Sequence, residues 1–172
     1  MIFNCALSMK FLVDAMLGKL ARFLRIFGYD TIYANDLISY YNTDPVPDEK
    51  LLEYALENER LIITKDLPFF SKIRGRGILL EGEGVYNYLQ QLQSKLNLKF
   101  NFEISKGRCS VCNGILNKVA NKEIIKHLVQ LESYRNYSEF YQCSNPRCKQ
   151  VFWEGPHITD IVLKLKDLVN ND

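Results

Sequence analysis

This chain has little charge imbalance. Its 22 Lys and Arg oppose 20 Asp and Glu, for a net charge of only +2. Bulk electrostatics therefore do not mark a nucleic-acid binder, and any such role must rest on local clusters. Long hydrophobic runs are also lacking, and none approaches the ~20 apolar residues that span a bilayer. The stretch Met1–Ser8 is too short for a signal peptide and lacks its charged start. The expectation is a cytoplasmic protein with reduced thiols and no membrane association. Histidine is scarce: His127 and His157 both lie in the C-terminal part, which leaves no serine–histidine or cysteine–histidine arrangement for nucleophilic catalysis. No Walker-type glycine loop and no dinucleotide GxGxxG occurs. Gly75-Arg76-Gly77 and Gly82-Glu83-Gly84 read as turns. There is no internal repeat and no low-complexity tract.

What is present begins with cysteine. Cys109-Ser-Val-Cys112 and Cys143-Ser-Asn-Pro-Arg-Cys148 form two close pairs. Each short turn delivers two thiolates to one tetrahedral ion, so the four residues are zinc ligands by type and spacing. Disulfides are the alternative, disfavoured by the expected compartment. Cys5 stands apart in a short apolar extension before Met9 and reads as a small buried hydrophobe. Met9 is an alternative start, since Lys10 opens the first clear strand. With 172 residues and 47% hydrophobic content, the chain can build a real core plus a metal-stapled appendage.

Lys10–Val13 is a short apolar run and reads as a buried strand. Met16, Leu17, Leu20, Phe23, Leu24 and Phe27 then recur at helical spacing, with Lys19, Arg22 and Arg25 on the other face and Gly28 as the C-terminal cap. Thr31–Ala34 predicts a second strand. A loop with Asn42, Asp44, Pro45 and Pro47 leads to a helix carrying Leu51, Leu52, Ala55 and Leu56, with Asp48 as its N-cap. Leu61–Thr64 predicts a third strand, a short helix surrounds Phe69–Ile73, Ile78–Leu80 is a fourth strand, and Val85–Leu96 is the next helix. Asp30 reads as a turn residue. Alternation of this kind implies an α/β domain with a parallel sheet flanked by helices. The expected organisation is a first domain over 9–98, a zinc ribbon over 106–157, and an amphipathic C-terminal helix over 158–170 with Ile158, Ile161, Leu165 and Leu168 on one side.

Acids follow the strands: Asp14, Asp36, Asp66 and Glu81. In an open parallel sheet, ligands bind beyond the carboxyl ends of the strands, so these residues converge although distant in sequence. Asp48 is a candidate to join them. Grouped carboxylates repel unless a cation sits among them, and oxygen donors suit Mg²⁺ or Mn²⁺. Such an ion supports phosphodiester hydrolysis. The competing reading makes some of these acids helix caps, most of all Asp48. An aspartyl-nucleophile phosphatase would need a second Asp where Met16 stands. A receiver domain would need a pair of acids after the first strand. The run from Leu67 to Leu80 holds no acid and carries Lys72, Arg74 and Arg76, with Lys65 just before; it is either a phosphate-gripping cluster or a solvated loop.

The run Lys10-Phe-Leu-Val-Asp-Ala-Met-Leu-Gly-Lys-Leu-Ala-Arg-Phe-Leu-Arg-Ile-Phe-Gly-Tyr-Asp-Thr31 resembles the opening of the Mut-seven C-terminal RNase domain family. Asp48-Glu-Lys-Leu-Leu52, Leu61-Ile-Ile-Thr-Lys-Asp66 and Phe152-Trp-Glu-Gly-Pro-His157 resemble later stretches of it. The resemblance implies a PIN-like fold with a metal-dependent ribonuclease site, followed by a zinc ribbon. It carries Asp14, Asp48 and Asp66 into the site, with Asp36 as an addition, and it turns Lys19 and Arg22 towards the phosphate backbone. The chain departs from the pattern in a longer loop between Asp36 and Asp48, in the spacing of the second cysteine pair, and in the long stretch Asn121–Tyr137. His157 either lies near the active site or packs beside Trp153.

The function expected is hydrolysis of single-stranded RNA with Mg²⁺ or Mn²⁺ at the acids and Zn²⁺ at the cysteines. Tyr40, Tyr41 and Phe69 are candidates for base stacking, with Phe69 expected in the core. One rival is a non-catalytic module that binds ribosomal or other structured RNA. The other is a protein-interaction module using the Ile158–Leu168 stripe.

Overall fold

The computed structural model describes residues 9–73 and 75–169, with side chains to 165. Cys5, Arg74 and the side chain of Leu168 lie outside what is described. Two compact units emerge, one of residues 9–25 and 29–99, the other of residues 26–28 and 100–169.

The first unit has four short strands, β1 (Lys10–Val13), β2 (Asp30–Tyr33), β3 (Arg60–Thr64) and β4 (Gly77–Leu79). They form one sheet in the order β2-β1-β3-β4, and every pairing is parallel. The helices are α1 (Gly18–Ile26), α2 (Ile38–Tyr41), α3 (Asp48–Glu57), α4 (Leu67–Lys72) and α5 (Val85–Leu96). The α/β architecture expected from the alternating pattern is the one found. The central residues of β1 and β3 are apolar on both faces because both are covered. Leu12 and Ile62 join Leu51 and Ala55 of α3 and Phe69 of α4 in one core cluster. α1 and α5 meet through an edge-on contact of Phe23 and Tyr86, with ring centroids 5.7 Å apart. Phe11, Leu12, Val13, Ile62 and Ile63 are fully buried. Gly28, with φ of 89°, follows α1 in the left-handed conformation expected of a cap.

Several local expectations are corrected. Asp30 is a strand residue rather than a turn residue; its carboxylate accepts from Arg60 at 2.7 Å. Asp48 is the first residue of α3, and Pro47 stands at the cap. Arg25, expected on the outer face of α1, is 2% exposed. Phe69 is buried in the core, as expected of it.

The second unit contains β5 (Leu116–Lys118), α6 (Leu131–Asn136), β6 (Tyr141–Cys143), β7 (Val151–Phe152) and α7 (Pro156–Val169). The three strands form an antiparallel sheet in chain order. Ile104, Leu116 and Tyr141 pack around Cys109 and Cys143. The long stretch between the cysteine pairs makes a second small core, in which Ile125, Phe140 and Val151 pack with Tyr137 and Trp153. Ile161 and Leu165 of α7 are buried, and His157 at its start is exposed.

Candidate active site and cysteine metal centre

The carboxyl edge of the parallel sheet is built by neighbouring strands that stop on acids. β1 and β3 are adjacent, with Val13 opposite Ile63. The chain leaves β1 at Asp14, whose N–H donates to the Ile63 carbonyl at 3.0 Å. Thr64, fully buried at the end of β3, joins the two acids. Its hydroxyl donates to Asp14 Oδ2 at 2.5 Å and accepts the Asp66 N–H at 2.9 Å. One side chain thus uses its donor on the Asp14 carboxylate and its acceptor on the Asp66 main chain, linking the two residues. Each acid also starts a helical segment. Asp14 accepts from the Ala15 N–H at 2.6 Å, and Asp66 Oδ1 accepts from the Phe69 N–H at 2.7 Å. The capping role expected foremost of Asp48 therefore falls to Asp14 and Asp66.

The other acids have different company. Asp36 is ion-paired with the buried Arg25 and accepts the Tyr33 N–H at 3.0 Å. Asp48 and Glu49 share the Lys72 ammonium at 3.3 and 3.5 Å. These contacts hold the Lys72 proton on, with the hydrogen bond that Lys72 donates to Asp48 contributing most. Glu81 follows β4 and is exposed. Among the described residues the four cysteines are the only group of three or more His, Cys, Asp or Glu side chains whose ligand atoms lie within 4.8 Å of one another. The acids thus present a linked pair, Asp14 and Asp66, rather than a closed cluster of three.

Two residues at this edge escaped the sequence reading. Thr64 is one; its signal was a hydroxyl at the end of an otherwise apolar strand. Tyr33, at the end of β2, is the other. Its hydroxyl donates to the Ala15 carbonyl at 2.7 Å, and its ring lies where a Cβ on Gly18 would come within 3.0 Å. Burial raises the Tyr33 pKa, the Asp36 and Asp14 carboxylates add to the effect, and Arg22 opposes it. That pattern brings Arg22 into the electrostatic neighbourhood of the acids.

The predicted phosphate-gripping residues divide. Lys19 and Arg22 are exposed on α1, with Lys19 6.0 Å from the Phe23 ring centroid. Arg76 is exposed. Lys65 is paired with Glu83 at 2.5 Å and sits over the Tyr88 ring, while Lys72 is held by Asp48. Tyr40 is 67% exposed, with its ring edge-on to Tyr41 at 4.8 Å.

The cysteine centre closes on itself. Cys109 Sγ lies 3.7 Å from Cys148 Sγ, and Cys112 Sγ lies 3.4 Å from Cys143 Sγ. A tetrahedral zinc site with bonds of about 2.3 Å has sulfur–sulfur edges of about 3.8 Å, so the four thiols fit a zinc ion. The first knuckle turns through Asn113 at φ of 66°, and the Cys109 N–H donates to the Gly114 carbonyl at 2.8 Å. A Cβ on Gly114 would stand 2.7 Å from Cys143 Sγ, so glycine leaves the room the sulfurs occupy. The wider second pair closes because Asn145 folds it. The Asn145 side chain accepts the Arg147 N–H and its carbonyl accepts the Cys148 N–H, both at 3.0 Å. Burial pushes the Cys109 thiol well up and the Cys143 thiol up to about 11. Burial acts the same way on Cys112, but the Gly114 N–H and the neighbouring thiols outweigh it and lower that pKa. Four such groups drawn together, two of them buried, suit a divalent cation as counter-charge once deprotonated.

These features define an α/β protein with carboxylates at the carboxyl ends of a parallel sheet and a four-cysteine group that could hold a metal ion. Residues 9–165 match the Mut7-C RNAse domain, and the chain belongs to that family. Its function is accordingly that of an RNase domain, with RNA as the substrate class. Searches among curated proteins and among solved structures found no match. Among the described residues no helix is long and apolar enough to cross a membrane.

Proposed function

We propose that the chain is a metal-dependent ribonuclease acting on single-stranded RNA, with its reacting phosphate held at the carboxyl ends of β1 and β3. The observation that supports this reading is the Thr64 bridge, which bonds the Asp14 carboxylate and the Asp66 main-chain N–H at the strand ends, where a parallel sheet binds its ligands. Asp14 and Asp66 would hold Mg²⁺ or Mn²⁺, with Asp48 contributing once its carboxylate leaves Lys72; Asp36 supports the edge through Arg25. A divalent ion there supplies activation of water and stabilisation of the charge that develops on phosphate oxygens. Thr64 keeps the Asp14 carboxylate in one orientation, so no reorganisation is required when substrate arrives. Lys19, Arg22 and Arg76 grip the backbone electrostatically, and Lys65 and Lys72 add to that grip when they exchange Glu83 and Asp48 for phosphate. The zinc held by Cys109, Cys112, Cys143 and Cys148 is structural, since all four positions are filled by protein thiolates.

A second reading has its own support. Asp36 and Asp48 are already paired with cations, and among the described residues no three acids form a closed set. That arrangement also suits a non-catalytic module docking on structured RNA. One experiment separates the two. Labelled single-stranded RNA is incubated with zinc-loaded protein in Mn²⁺, in Mg²⁺ or without either ion, alongside an Asp14→Asn, Asp66→Asn variant. Cleavage that needs the added ion and falls at least about 100-fold in the variant is expected. RNA bound but left whole by folded, zinc-loaded protein moves the assignment to the binding module.

A further inference from the structure

The exposed apolar side chains of the sheet unit are unevenly placed. Among its described residues the large ones are Met16 at 59%, Tyr40 at 67%, Leu67 at 60% and Leu56 at 45% exposure. Met16 lies in the turn Ala15–Leu17, which Asp14 caps. Leu67 is the first residue of α4, which Asp66 caps. Tyr40 lies in α2, one short turn beyond the end of β2. These three thus sit on the segments that leave the carboxyl ends of β1, β3 and β2, three neighbouring strands. Only Leu56 lies elsewhere, near the end of α3, where the chain returns to the start of β3. Apolar residues exposed singly need no explanation; three on the segments that follow neighbouring strand ends, two of them close in sequence to the capping acids Asp14 and Asp66, do.

We propose that Met16, Tyr40 and Leu67 form a seat for unpaired nucleobases, and that this seat makes a single strand, rather than a duplex, the RNA that reaches Asp14 and Asp66. The inference rests on the ribonuclease reading above and adds the residues that set strand selectivity. The faces of a nucleobase are apolar and stack on exposed aromatic and apolar surface, whereas in a duplex each face is covered by its neighbours. The cations nearby match the other half of such a ligand. Lys19 and Arg22 follow Met16 at three and six residues and are exposed with it, so one edge offers apolar surface for bases and charge for phosphates. Tyr40 is backed by Tyr41 and by Tyr54, whose ring centroid is 6.0 Å away, so its ring is supported while its outer part stays open. A lipid surface suits these segments poorly, because the acids Asp14 and Asp66 directly precede two of them in the chain.

The test is equilibrium binding by fluorescence anisotropy with the full zinc-loaded chain, carrying Asp14→Asn in every arm so that no probe is cut. The probes are a labelled single-stranded RNA, a sugar–phosphate strand of equal length without bases, and the same RNA paired to its complement. The seat is altered by Met16→Ser, Tyr40→Ser and Leu67→Ser together, and retained zinc and unchanged circular dichroism check the fold. With the seat intact, the base-bearing single strand binds at least about tenfold more tightly than either other probe. In the triple variant that preference shrinks to about twofold, while the baseless strand binds as before. A preference that survives the triple variant, or equal binding of all three probes to the intact seat, overturns the inference. So does an equal loss for every probe. Failure of the nuclease reading looks different: base preference is present, yet the chain with Asp14 restored cuts nothing.

Discussion

The sheet unit and the cysteine unit solve the same problem with different materials. In the first, Phe11, Leu12, Val13, Leu24, Ile62, Ile63, Leu89 and Leu92 are fully buried, and helices cover both faces of the sheet. Burial of that kind contributes about 25 cal/mol per Å² of apolar surface and requires no ion. In the second, three short strands of two or three residues surround sulfur, and the small cores meet at Cys109 and Cys143 or cluster around Ile125. Four thiols, two buried and two half-buried, contribute little as hydrophobes, but as thiolates around a cation they supply strong directional bonds. The difference explains where each unit can place chemistry. An apolar core leaves the carboxyl edge of the sheet open for Asp14 and Asp66. A four-cysteine set that spends every ligand on one structural ion would leave none for substrate.

The sharpest way to break this comparison is to remove the zinc. Chelation, or Cys109→Ser with Cys148→Ser, is expected to unfold residues 100–165, since structural zinc contributes about 10–16 kcal/mol of apparent binding energy. Amide exchange resolved by residue is the measurement. Protection lost in β5, β6 and β7 but kept in β1 and β3 sustains the contrast, and simultaneous loss in both units ends it.

Within the sheet unit, the charged contact that behaves least like a surface pair is Arg25 with Asp36. The guanidinium is 2% exposed, and its Nε–H donates to the Thr31 carbonyl at 2.8 Å. Asp36→Ala removes this carboxylate from a buried cation and is expected to cost about 3 kcal/mol in urea unfolding. A change no larger than that of an exposed pair, such as Lys50 with Glu53, would show that water reaches Arg25 and that apolar packing alone holds the first unit.

The Thr64 hydroxyl is a finer probe. Thr64→Val removes the partner of Asp14 Oδ2 and of the Asp66 N–H and is expected to cost about 1–3 kcal/mol, while Thr64→Ser retains most of that. If valine leaves both stability and RNA cleavage untouched, the carboxylates are positioned by their helix-capping bonds instead.

Local order was legible without tertiary information. The apolar runs Lys10–Val13 and Leu61–Thr64, the helical spacing of Leu20, Phe23 and Leu24, and the alternation of strand with helix all report on which face of an element is buried. That is a property of neighbours in the chain. The cysteine pairs were legible for a similar reason, because two ligands on one turn are local even when the pairs lie far apart. Partnerships across the fold were not. Arg25 falls at a spacing that looks solvent-facing, and only packing shows that it turns inward to Thr31 and Asp36. Asp48 follows a loop whose path no periodicity records, and the structure gives it to Lys72.

By itself, then, the sequence determined the parallel α/β architecture, the four zinc-type ligands and the acids that end the strands, because each is written in local pattern and residue chemistry. The tertiary structure decided which of those acids meet. Sheet order places β1 beside β3, and the Thr64 hydroxyl, 50 residues from Asp14, reaches it at 2.5 Å. Hydrogen bonds act over a few ångströms of space, and only the folded chain sets that distance.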